Sequence, residues 1–185
     1  FTNSGSIIVA TGKTLDVNSG EFNYDAAITG SGTLDFNSVT LNLNVGLSNA
    51  AQDIILSAGT VNGPQTLTNA SGKTLTLSGS PTINAPLTNA GALEVKSNPN
   101  INGTLTSQTG STLRIEGNGS YGTAALTVAN GFTNNGTIEL TSTGSSYGAT
   151  LNVTNGTLTN QAGKIINISA GTGGPPGEPR PRCSQ

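Results

Sequence analysis

Residues Leu87–Val95 read LTNAGALEV. Close variants stand at Phe1–Val9 (FTNSGSIIV), Phe132–Leu140 (FTNNGTIEL) and Leu158–Ile166 (LTNQAGKII). A catalytic motif normally occurs once; a phrase that returns along a whole chain is architecture. Aligned on its opening apolar residue, the phrase starts at Phe1, Ile28, Leu47, Leu67, Leu87, Leu105, Phe132 and Leu158, in units of 18–27 residues. Such periods belong to repeat folds in which each unit needs its neighbours to complete a core.

Two patches recur in each unit. The second position of the phrase is Thr2, Thr29, Ser48, Thr68, Thr88, Thr106, Thr133 and Thr159. The third is Asn3, Gly30, Asn49, Asn69, Asn89, Ser107, Asn134 and Asn160. A second patch reads apolar–x–apolar: LDV at Leu15, LDF at Leu34, LTL at Leu75, LEV at Leu93, LRI at Leu113 and IEL at Ile138. Strict alternation is the pattern of a strand with one buried face. The longer units carry an extra strand, SYGTAALTVANG from Ser120 and SYGATLNVTNG from Ser146. Their likeness predicts that the two inserts lie on each other, with Tyr121 near Tyr147.

Equivalent positions repeat like with like. A parallel coil produces this, because each residue sits roughly 4.8 Å above its equivalent in the preceding turn. The sequence therefore predicts an all-β, single-stranded parallel β-helix (a β-solenoid) of about eight coils over residues 1–171. The apolar residue faces the core and Thr faces out. Asn or Gly makes the corner, where stacked amides hydrogen-bond along the ladder.

Composition agrees. Only 9% of residues are charged, 26 are Gly, and His, Met and Trp are absent. The net charge is −2, and the repeat region holds only Lys13, Lys73, Lys96, Lys164 and Arg114, widely spaced. Nucleic acid, which needs clustered cations, is not an expected partner. No apolar run is long enough to span a membrane as a helix. Cys183 stands alone, so an internal disulfide is excluded. The chain opens on Phe1 rather than Met, as a processed or excised product does.

LTNAGALEV, FTNNGTIEL and GTLTNQAGKI resemble the degenerate repeats of bacterial filamentous-haemagglutinin-like exoproteins and autotransporter passenger domains, over Phe1 to about Gly171. The resemblance implies a right-handed helix, secretion to the bacterial cell surface, and adhesive or scaffold duty. It carries over no catalytic residue. The unit lengths here are less regular than in that family, and no secretion or membrane-anchoring domain is visible. From Gly171 the chain reads GTGGPPGEPRPRCSQ, with half of the eight prolines. Pro lacks a ladder donor, so residues 172–185 are expected to form an extended tail or linker.

Enzymes on parallel β-helices supply the alternative reading, polysaccharide lyase or hydrolase. Glycoside hydrolysis uses paired carboxylates; lyases use Ca²⁺ and a base. The acidic residues of the repeats (Asp16, Glu21, Asp25, Asp35, Asp53, Glu94, Glu116 and Glu139) form no DxD or DD pair. Asp16, Asp35, Glu94, Arg114 and Glu139 share one outward strand position, with Glu94, Arg114 and Glu139 on successive coils. A solvated face with an ordinary ion pair accounts for that column, and a sugar contact is the sharper alternative. Tyr121 and Tyr147 join Glu94, Arg114 and Glu139 as candidate glycan or partner contacts. Without His, a histidine-activated nucleophile is impossible. No catalytic residue, cofactor or metal ligand is assigned.

Ice binding is a third reading. It needs paired Thr columns, and only Thr66/Thr68, Thr104/Thr106 and Thr157/Thr159 supply them; Ala27, Gly46, Pro86 and Gly131 interrupt. The reading adopted is a non-catalytic, secreted structural or adhesive segment. Its expected partners are host or matrix glycans or proteins, or further copies joined end to end.

Overall fold

The computed structural model describes residues 1–144 and 147–169, and the backbone of Arg182–Ser184. These residues are strands and turns without helix, and all paired strands run parallel. This is the stacked arrangement of a β-solenoid. The strands fall on three walls around one core.

The apolar–x–apolar strands make the first wall. Its rungs run Leu15–Leu34–Ile54–Leu75–Leu93–Leu113–Ile138–Ile166. The repeated phrase makes the third wall, where Leu47, Leu67, Leu87 and Leu105 stack in register and Phe132 pairs with Leu158. Leu67, Leu87 and Leu93 are fully sealed. Each such side chain removed from water contributes about 1.5–3 kcal/mol. The second wall joins the first at a sharp bend. Strands Thr14–Tyr24 and Thr33–Leu43 run through it, so both walls belong to one 15-stranded sheet. The bend is made by a left-handed residue, Ser19 (φ 67°) and Ser38 (φ 57°) in those strands, with Ser80 (φ 63°) at the same corner further up.

The corner between the third and first walls answers why the phrase carries Asn and then Gly. The Asn does not supply a left-handed turn, since no Asn has positive φ among the described residues. It points inward, and its amide builds a ladder. Nδ2 of Asn49 donates to Oδ1 of Asn69 at 2.7 Å, and Nδ2 of Asn69 donates to Oδ1 of Asn89 at 2.7 Å. These side chains are 0–2% exposed. A buried amide is tolerated only when it is bonded, and stacking equivalent amides achieves that. Ser107 interrupts the ladder; Asn134 and Asn160 resume it at 2.8 Å.

The glycine answers to a neighbour below it. Corners of six, five and four residues occur. Asn69 stands six residues before Leu75, with a turn closed by Lys73 N donating to Ala70 O and a left-handed Gly72 at its tip. Asn89 stands only four residues before Leu93. That tighter corner lies on the turn beneath, where a Cβ at Gly91 would come 2.2 Å from Lys73 O and 2.3 Å from Ala70 O. Gly136 repeats this over Ser111 O at 2.0 Å. A methyl group cannot enter at such distances.

Two expectations are corrected. The phrase at Phe1 is not the first rung of the third wall. Thr2 and Asn3 pair with Asn23 and Tyr24 on the second wall, and Ile7–Val9 pairs with Ile28–Gly30 instead. The TLDV and TLDF segments fix the register, and counting back through a six-residue corner reaches Val9. The segments from Ser120 and Ser146 add no extra strand: Ala124–Val128 and Ala149–Val153 continue the second wall, and they stack one residue out from the likeness of their SYG openings. Ala124 pairs with Ala149, and Thr123 Oγ1 accepts from Gly148 N, which sets Tyr147 level with Gly122. The ring contacts among the described residues are Phe1–Phe22 and Phe22–Phe36, so Tyr121 and Tyr147 do not stack. Most of the expected 172–185 tail lies outside the described residues; the backbone of Arg182–Ser184 pairs parallel with Thr150–Asn152 on the second wall.

Candidate functional site: a charged patch and two polar ladders

The outward column expected on the first wall is present rung by rung. Asp16 pairs with Asp35, Glu94 with Arg114, and Arg114 with Glu139. The opposite-charge pair expected within this column forms between Arg114 and Glu139, but it is not the shortest contact of Arg114. Arg114 instead turns along its own strand to Glu116, its Nη2 lying 2.7 Å and its Nε 2.9 Å from Oε2. Its Nη1 reaches Glu139 Oε2 at 3.4 Å. Glu94 is held by Lys96 at 3.0 Å. Residues i and i+2 share a strand face, so Glu116 comes closer to Arg114 than Glu139 of the next rung does, and Lys96 lies within reach of Glu94.

Glu116 and its partner Asn118 are the members the sequence reading missed. Asn118 Nδ2 donates to Glu116 Oε1 at 3.2 Å, and Asn118 Oδ1 accepts from Ser120 N and Tyr121 N at 3.0 Å. A polar chain therefore runs from Glu139 through Arg114, Glu116 and Asn118 to the loop that carries the exposed Tyr121. The alternation L-R-I-E-G-N over Leu113–Asn118 was the available signal, since Arg114, Glu116 and Asn118 all face out. Tyr147 sits half-buried against the glycines of this strand region: a Cβ at Gly117 would lie 3.0 Å from Tyr147 Cβ, and one at Gly144 would lie 3.6 Å from its ring. It supports the loops rather than extending the Tyr121 surface.

Electrostatics fix the protonation of the patch. Burial would raise the Glu116 carboxyl, but hydrogen bonds from Arg114 and Asn118 and the charges of Arg114 and Lys96 outweigh it and hold it below the ordinary range. Arg114 is raised by its bond to Glu116 against the opposing effect of burial. The patch is thus a charge-compensated surface. Asp35 behaves oppositely. Burial, and then the neighbouring Asp16, raise it, and its Oδ1 is sealed without a partner. Among the described residues no three potential metal ligands gather.

The Thr ladder of the third wall faces outward as expected. Thr68, Thr88 and Thr106 are in register, as are Thr133 and Thr159. The Asn ladder (Asn69, Asn89, Asn134 and Asn160) faces inward; Asn160, on the last described rung, is exposed, and its Nδ2 donates to Lys164 O at 3.0 Å.

A second amide ladder on the outer face of the second wall was not anticipated. Asn42 donates to Asn23 at 2.7 Å, Asn62 to Asn42 at 3.1 Å, Asn84 to Asn62 at 2.9 Å and Asn102 to Asn84 at 2.8 Å. Its signal is the triplet Thr–apolar–Asn at Thr40–Asn42, Thr60–Asn62 and Thr82–Asn84. Comparison of the chain with protein-family models, with curated proteins and with solved structures finds no match.

Proposed function

We propose that this chain is a non-catalytic segment of a secreted bacterial surface exoprotein or extracellular fibre, a stiff solenoid of about eight right-handed coils that displays polar ladders. The observation that carries this reading is the continuous parallel register of the first wall from Leu15 to Ile166, backed by a sealed amide ladder. Side chains stacked at every rung resist bending and local opening, which suits a spacer that carries load. The repeat resemblance to filamentous-haemagglutinin-like and autotransporter passenger proteins supports the cell-surface assignment. Exposed large apolar side chains gather at the two extremes of the stack, Phe1 and Ile8 at one and Ile165 and Ile168 at the other, with Tyr121 on the flank. Strand edges there that lack a partner among the described residues template further pairing, so in this reading the segment joins end to end with more coils or with other copies.

Two measurements test the reading. Small-angle scattering at rising concentration should show a rod of constant cross-section that lengthens by end association; monomers of fixed length at all concentrations would remove the assembly part. Incubation with acidic and neutral polysaccharides should release no shortened products. Scission abolished by Glu116→Gln or Glu139→Gln would replace the scaffold reading with an enzymatic one.

The second reading is a carbohydrate contact at Tyr121. It is favoured by the hydrogen-bonded chain from Glu139 through Arg114, Glu116 and Asn118 that holds the backbone of the loop carrying this half-exposed ring. An aromatic face flanked by fixed polar groups suits a sugar ring. The third reading, ice binding at the Thr columns, predicts thermal hysteresis.

A further inference from the structure

The outer ladder differs from the inner one in a way that bears on ligands. The inner amides are sealed, whereas Asn84 and Asn102 are exposed and Asn42 and Asn62 are partly so. Within the ladder each central amide spends one N–H on the rung before it and one oxygen lone pair on the rung after it. An amide has two of each. Asn62 and Asn84 therefore each keep one donor and one acceptor, held in a fixed plane by their neighbours, whereas Asn42 gives its second N–H to Glu21 Oε1. Thr40, Thr60 and Thr82 stand in register two residues away on the same face. Their column lies roughly 7 Å from the amide column, and rungs repeat at roughly 4.8 Å. Beside the ladder lies an open recess walled by Asn42, Asn44, Asn62 and Pro64.

We infer that this Thr–Asn face of the second wall is a binding surface for an extended, uncharged polysaccharide lying along the ladder. Sugar hydroxyls donate and accept, as Asn62 and Asn84 do, and a polymer engages several rungs at once. Charge selects the class. The face carries no ionisable side chain from Thr40 to Asn102, and its near end meets Glu21, whose carboxylate accepts from Asn42 at 3.0 Å, and Asp25, bonded to Asn44. Acidic polymers are repelled there and neutral ones are not. No aromatic ring lies on the face, so affinity per sugar is small and grows with chain length. A recess beside a hydrogen-bonding column suits a single chain better than a flat ice plane. The inference rests on the scaffold reading only for a rigid wall.

The test is affinity electrophoresis of the folded protein in gels holding mixed-linkage β-glucan or polygalacturonate. The β-glucan should retard the wild type and polygalacturonate should not. Thr60→Arg with Thr82→Arg should weaken retention at least tenfold. Thr60→Val with Thr82→Val, which keep strand propensity and volume, should weaken it severalfold. Thr68→Arg with Thr88→Arg, on the third wall, should leave it unchanged, and melting curves confirm that each variant is folded. Absence of retention by β-glucan, preference for polygalacturonate, or equal loss in the third-wall variant overturns the inference. Loss confined to Tyr121→Ala also overturns it, while leaving a carbohydrate contact on the first wall. Rod length from scattering is unaffected by any of these outcomes, so the scaffold reading is judged separately.

Discussion

Asn69 donates to Asn89 across one rung at 2.7 Å, and neither side chain is more than 2% exposed. Asn69 also accepts from Asn49 at 2.7 Å, so it is the middle of a three-amide chain inside the core. Replacing it by Ala leaves a sealed donor on Asn49 and a sealed acceptor on Asn89 with one partner fewer. Each orphaned group costs about 1–3 kcal/mol. Asn69→Ala should therefore destabilise by about 2–5 kcal/mol, read from urea unfolding at constant slope. Asn84→Ala on the exposed ladder, where water replaces the lost partner, should cost less than about 1 kcal/mol. Equal costs at the two sites would show that burial is not what makes the inner ladder stabilising.

Gly91 tests the seating of the four-residue corner on the turn beneath it. Its absent side chain makes room for the Lys73 and Ala70 carbonyls of the turn below. Gly91→Ala should destabilise by about 1–3 kcal/mol or more through backbone displacement, and Gly136→Ala should do the same against Ser111 O. Gly5→Ala, where nothing lies within 4 Å, should change the melting temperature little. A neutral Gly91→Ala would mean that the tight corner does not rest on the turn beneath it.

These two residues also show what the sequence makes legible. The rungs of the first wall are readable because identity recurs in period-2 strands, so Leu75, Leu93 and Leu113 announce their stacking directly. The outward charge column follows from the same register. The ion pairs do not, because Arg114 chooses between Glu94, Glu116 and Glu139 by side-chain reach, which a register cannot rank. The phrase at Phe1 misleads for a related reason. Its residues match the third wall, but the position of a segment in a solenoid depends on the corner lengths that follow it. The outer Asn ladder went unread because its triplet varies at the apolar position (Leu41, Val61, Ile83) and lies between the more conspicuous phrases.

Asp35 supplies a pH prediction. Burial and Asp16 raise its pKa in the folded protein above the 3.8 of an ordinary aspartate. The folded state then holds this proton more tightly than the unfolded chain does. Its ionised form weakens the fold at neutral pH, and the penalty is relieved as pH falls through the folded pKa towards 3.8. Asp35→Asn should raise stability at pH 7 by up to about 1 kcal/mol, the size of a surface charge interaction. The gain should fade below pH 4. Unfolding midpoints of the two proteins from pH 3 to 7 check this; a gain independent of pH would assign the effect to packing instead.

Glu116 should give the opposite profile. Arg114 and Asn118 hold its carboxyl below the ordinary 4.5 despite burial. Its contribution is then complete above the unfolded value and is lost as pH falls through the folded one. Glu116→Gln should cost about 1 kcal/mol at pH 7, since the Arg114 partner is partly exposed and screened. The cost should vanish in acid, where the wild-type carboxyl is also neutral. A local readout separates this from general weakening. Asn118 Oδ1 holds the amides of Ser120 and Tyr121, and Glu116 holds Asn118. In the variant those two amides should exchange with solvent faster, while the amide of Leu126, in the second-wall strand Ala124–Val128, keeps its protection. Unchanged exchange at Tyr121 would mean that the loop stands without the charged patch, and the polar chain from Glu139 to Tyr121 would be a row of neighbours and not a support.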